Sequence, residues 1–182
     1  MPSVPNKVES RSRARHRQVR DLCVFAMLAT VLFLSKLLME WAPNIHFVGM
    51  LMMTYTLVYR RRALIPLYVY VLLMGVYAGF NVWWVPYLYI WTVLWGITML
   101  LPRNMPRRVA IPVYAVVCGL HGLAYGTLYA PAQALFFGYT PAQTLAWIAT
   151  GLPFDALHAV GNAAAGILIV PLRDLLIRLE KM

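Results

Sequence analysis

The sequence predicts an all-α integral membrane protein: a bundle of six transmembrane helices with both termini in the cytoplasm. Three observations carry that expectation. The chain has 182 residues, of which 62% are hydrophobic and only 12% charged, too apolar a balance for a soluble domain of this size. Most of the apolar residues fall into runs near the roughly 20 residues that a bilayer-crossing helix needs. The basic residues gather beside these runs at Arg60–Arg61–Arg62, at Arg103, Arg107 and Arg108, and at Arg173, Arg178 and Lys181. If the N-terminus is cytoplasmic, every such cluster falls on that side. The outer connections 40–45, 81–85 and 131–151 then contain no Lys or Arg, which is the positive-inside pattern.

Residues 1–21 carry Lys7, Arg11, Arg13, Arg15, Arg17 and Arg20 and read as a flexible basic tail, with 22–182 as one transmembrane domain. An apolar run starts only at Leu22, so the N-terminus is not a secretory signal. The spans are 22–39, 46–59, 63–80, 86–101, 109–130 and 152–170, the last opened by Pro153 at a favoured first-turn position. Within the last outer connection, "TPAQTLAWIA" (140–149) reads as a short interfacial helix with Trp147 at headgroup level.

The net charge of +10 does not point to nucleic acid, because each basic cluster flanks an apolar span and suits topology and anionic lipid instead. Cys23 and Cys118 lie inside apolar runs without metal-ligand spacing, so neither a disulfide nor a metal site is expected. A phosphate-binding glycine loop with its lysine is absent, and no serine stands in a nucleophile context. No cofactor is implied.

The polar groups of the spans collect in the outer half. In "GLPFDALHAVGNA" (151–163), Asp155, His158 and Asn162 stand three and four residues apart, within about 60° on a helix. An ionised carboxylate in hydrocarbon costs about 3 kcal/mol or more, so this stripe must face protein or a wet cavity. One reading is an internal Asp155–His158 hydrogen bond that only locks the helix; the other is a ligand-facing wall. At the same depth lie His121 and Tyr125 on the fifth span, Tyr87 and Trp91 on the fourth, and Lys36 and Glu40 at the end of the first. The connections add Trp41, Asn44 and His46, then Asn81, Trp83 and Trp84. Bland roles compete: Trp83 and Tyr89 in a lipid-facing belt, Lys36 snorkelling to pair with Glu40, His121 as a satisfied core residue. Taken together, the convergence predicts an aromatic pocket open to the outside and suited to a flat ligand. Binding and passage fit it better than catalysis. The alternatives are a small membrane enzyme or an assembly protein using Asp155 and His158.

The blocks "PNIHFVGM", "YRRRALIPLYVYVLLMGVYAGFNVWWVPYLYIWTVLWGITMLLP", "HGLAYGTLYAPAQALFFG" and "GLPFDALHAVGNAAAGILIVPL" resemble the substrate-binding S component of energy-coupling factor (ECF) transporters, over residues 22–180. The resemblance implies a multi-pass protein of a bacterial cell membrane that binds a vitamin-like solute. It further implies delivery through a transmembrane coupling subunit and two cytoplasmic ABC ATPases. By position, Trp41 to His46 would form a lid, and Asp155, His158 and Asn162 would bind substrate. Coupling-subunit contacts would fall on Cys23, Ala26, Ala29 and Thr30. Here the chain departs from the family's two alanines four apart, having Ala26 followed by Thr30. A cobalamin-type corrinoid, or a flat heterocycle such as a folate, a flavin or a deazaguanine precursor, fits this reading equally well.

Overall fold

The computed structural model describes residues 7–42 and 44–181, and every regular element among them is helical. Helix α1 spans Lys7–Leu38, α2 Val48–Tyr59, α3 Leu64–Ala78 and α4 Tyr87–Leu100. Helix α5 spans Arg107–Leu123, α6 Tyr125–Phe137, α7 Pro141–Gly166 and α8 Ile169–Glu180. The runs Arg11–Leu38, Val48–Ala78 and Arg107–Phe137 are long and apolar enough to cross a membrane. The pair α7 and α8, bent by 47°, makes a fourth if counted as one span, and α4 is a shorter apolar helix. The protein is therefore an all-helical chain with three or four membrane-length spans by length and composition.

Helix α2 is the hub. Its first nine residues, Val48 to Thr56, are all buried, as expected of a helix apolar on every side. Thr54 and Thr56 satisfy their hydroxyls on the carbonyls of Met50 and Met52 (2.8 and 2.7 Å). α2 runs back along α1, with Tyr55 donating to the Leu28 carbonyl (3.4 Å) and Tyr59 edge-on to Phe25. The chain then reverses at Arg60, which has φ 56°, through a 3-10 turn over Arg60–Ala63. α3 consequently runs alongside α1, fixed by the Arg62–Asp21 ion pair (2.6 Å) at one end and Phe33 against Tyr77 at the other. α4 comes back antiparallel to α3, where Tyr68 meets the Leu88 carbonyl and Thr92, and Trp84 Nε1 donates to Val71.

The tightest contact joins α5 and α6 to α7. A Cβ on Gly119 would stand 3.0 Å from that of Ala163, one on Gly122 2.8 Å from the His158 carbonyl, and one on Gly166 2.7 Å from Ala115 Cα. Small residues thus let these backbones approach, the close packing that drives helix association in lipid.

Two segments differ from the sequence expectation. From Lys7 onward the basic tail is helical and continuous with α1, since Arg, Lys, Gln and Ala are strong helix formers. The connection expected over 131–151 is mostly helix. α6 continues through Pro131 to Phe137, ends at Gly138 (φ 66°), and α7 begins at Pro141. The Thr140–Gln143 capping box and Pro141 at the first turn start one 26-residue helix, not a short interfacial one. Pro153 therefore lies inside α7, where packing against α5 and α6 outweighs the one backbone hydrogen bond it forfeits.

Candidate functional site

The α7 stripe is buried as a unit, with Asp155, His158 and Asn162 at 6%, 3% and 0% exposure. Each member has a different neighbour. Asp155 accepts the backbone N–H of Gly126 on both carboxylate oxygens (3.1 and 3.2 Å). Gly126 is the second residue of α6, immediately after the break at Ala124, so its N–H is one of the unpaired donors of a helix start. Asp155 thus caps a broken helix and meets its positive end. Glycine is required there because a Cβ on residue 126 would collide with the Asp155 carboxylate.

His158 bonds to His46 instead of Asp155, with the two Nε2 atoms 2.8 Å apart. This contact ties the α1–α2 connection to α7. The His46 ring lies 4.6 Å from that of His158 and 5.6 Å from Trp91. Trp91 is the centre of the aromatic set, with Tyr87, His121 and Tyr125 at 5.9, 5.7 and 6.0 Å. Tyr125 in turn stands 4.8 Å from His158. His121 donates its Nε2–H to the Ile90 carbonyl (3.1 Å), which holds it to α4.

Above the histidine pair is a cavity of about 150 Å³ lined by Lys36, Glu40, Asn44, His46, Tyr87, Tyr125 and His158, with Met39, Ala42 and Ile45. Several buried atoms around its floor have no hydrogen-bond partner within the chain: Trp91 Nε1, His46 Nδ1, His121 Nδ1 and both amide atoms of Asn162. Asn162 lies one turn deeper, its amide wedged toward Gly49 and Gly122. Among the described residues, no group of three or more His, Cys, Asp or Glu side chains is placed to hold a metal ion.

The expected site residues thus divide. Asn44, His46, Tyr87, Tyr125 and His158 line the cavity; Trp91 and His121 stand behind it; Asn162 lies beneath it. Asp155 faces α6, which corrects the expectation of an Asp155–His158 bond or a cavity-lining acid. Trp41, Asn81 and Trp84 are not gathered into the site. Trp41 is 80% exposed, an orientation that suits an indole at headgroup level. Asn81 accepts the Trp83 N–H (3.1 Å) and so organises its own turn. Trp84 spends its N–H on Val71 and packs edge-on to Phe80. Lys36 and Glu40, counted at the depth of the pocket with a surface pair as the competing role, both line the cavity. Their four-residue spacing at the end of the first apolar run was the available signal. On α1, Cys23, Ala26 and Thr30 share an exposed face, whereas Ala29 is fully buried in the bundle and lies off that face.

No protein-family model, curated protein or solved structure matches this chain.

Proposed function

We propose that the chain is the substrate-specificity subunit of an ECF-type importer in a bacterial membrane, crossing it six times with both termini inside. In this reading the histidine–aromatic cavity takes up a vitamin-like solute from outside. A coupling subunit, docking on the α1 face of Cys23, Ala26 and Thr30, and two cytoplasmic ABC ATPases move it inward. The observation that carries the proposal is the convergence of four separate segments on one cavity. The α1–α2 connection, α4, α6 and α7 all contribute side chains to it, and these segments come from across the chain. Support also comes from polarity. Every ion pair among the described residues involves residues 20, 21, 62, 107, 173, 174 or 180, at the end away from the cavity. Six crossings follow if each reversal of direction marks a crossing, including the one at Arg60.

A cavity of about 150 Å³ has room for roughly five waters at about 30 Å³ each. A monocyclic or small bicyclic ring is the scale it suits; a corrinoid would require the α1–α2 connection to swing well clear. The reading as a membrane enzyme built on Asp155 loses support, because that carboxylate is already committed to Gly126.

The test is mass spectrometry of small molecules that co-purify with the detergent-solubilised protein, together with affinity capture of ABC ATPases. A retained vitamin-like compound and a captured ATPase pair are expected. Failure to bind any member of a broad vitamin panel, with no associated ATPase, would sink the proposal.

A further inference from the structure

The cavity floor is chemically unusual in that two imidazoles meet through the same ring nitrogen. A neutral imidazole has one N–H donor and one lone-pair acceptor. The 2.8 Å contact between His46 Nε2 and His158 Nε2 therefore needs one ring as donor and the other as acceptor. Whichever tautomers are present, the pair holds one donor beside one acceptor. Two charged side chains, Lys36 and Glu40, line the cavity together with the histidine pair. Asp155 does not line the cavity, and the arginines flank the far ends of the helices. At the mouth, Lys36 and Glu40 offer one charge of each sign and so favour no net charge in a ligand. Tyr87, Tyr125 and, behind them, Trp91 supply flat walls, and Trp91 Nε1 is a buried donor without a partner.

We infer that the site selects an uncharged planar nitrogen heterocycle bearing an amide-type edge, a lactam or a carboxamide, and that His46 and His158 are the residues that read this edge. The inference rests on the cavity being the solute pocket. Entry of the ligand separates the two rings and frees one Nε2–H and one Nε2 lone pair. An amide edge presents a carbonyl acceptor beside an N–H donor and satisfies both. A carboxylate or a phosphate presents only acceptors, so it leaves the freed Nε2 lone pair facing another acceptor unless the pair takes up a second proton. Leaving a buried donor or acceptor unpaired is what makes such sites reject near-isosteres strongly.

Two matched probe pairs test this on the full chain in detergent: nicotinamide against nicotinate, and 2-pyridone against pyridine, with affinities measured by calorimetry. The amide-bearing member of each pair is expected to bind at least tenfold tighter. That ratio should fall toward one in His46→Ala and His158→Ala. His158→Phe keeps the ring volume and serves as the second variant if the alanine forms fail to fold. Equal or tighter binding of nicotinate or pyridine, or an unchanged ratio in folded variants, overturns the inference and leaves the uptake proposal standing. No binding of any probe overturns it too; the uptake proposal falls with it only if no co-purifying molecule and no ATPase partner are found.

Discussion

The two ends of the bundle solve the problem of polar groups in opposite ways. At the end formed by Arg20, Asp21, Tyr59, Arg62 and Glu180, charges are paired with one another and stay partly exposed. At the end formed by His46, Trp91, His121, His158 and Asn162, the groups are buried without ion pairs, and several lack partners. Exposed ion pairs contribute about 0–1 kcal/mol each. A buried donor or acceptor left unpaired costs about 1–3 kcal/mol. The first end therefore anchors and orients, while the second carries an unfavourable energy that a hydrogen-bonding ligand would relieve.

That contrast can be broken experimentally. The largest effect is expected for Trp91→Ala. Truncating a buried aromatic removes about 3–5 kcal/mol, and this one contacts four other rings of the site. Its thermal unfolding in detergent should shift sharply, with ligand binding lost; an unchanged melting temperature would remove Trp91 from the centre of the core. Next comes Gly126→Val, which pushes a side chain into the Asp155 carboxylate and is expected to destabilise by about 1–3 kcal/mol through overpacking. Asp155→Ala should cost about 1–3 kcal/mol by orphaning the Gly126 N–H. Asp155→Asn keeps an acceptor and should cost less. Both Asp155 variants should retain ligand affinity once folded, so a tenfold weaker affinity in folded Asp155→Asn would return that residue to the ligand. The smallest effect is expected at the other end. Arg62→Ala breaks an exposed pair and should change stability by under about 1 kcal/mol. Added salt should shrink even that difference. A larger or salt-insensitive loss would show that the pair does more than anchor.

Much of this contrast is legible in the sequence, and the exceptions have physical reasons. The spacing of Asp155, His158 and Asn162 places them on one buried face, and the spacing of Tyr87 and Trp91 puts them on another. What spacing cannot reveal is which nitrogen or carboxylate meets which partner. The partner of Asp155 is a backbone N–H, created by a helix break at Ala124, and alanine is the residue least expected to mark a break. Pro131 and Pro153 read as boundaries because a lone helix would stop there; two helices in close contact carry through. The capping box at Thr140 was visible in the sequence and marks the true start of α7. Trp41 and Trp84 were misplaced because an indole serves a headgroup layer or a backbone carbonyl as readily as a pocket wall.

The glycines facing α7 have a consequence for how this chain tolerates change. Gly122 and Gly166 leave no room for a methyl group without displacing a neighbouring backbone, Gly126 none without displacing the Asp155 carboxylate, and Gly119 is tight against Ala163. At Gly96 and Gly151 an added Cβ would meet nothing within 4 Å. In a saturation library, positions 122 and 166 should tolerate almost no residue but glycine, 119 and 126 should be the next most restricted, and alanine is accepted at 96 and 151. A survivor map of that kind would trace the seam between α5, α6 and α7 from growth alone, before any ligand is known.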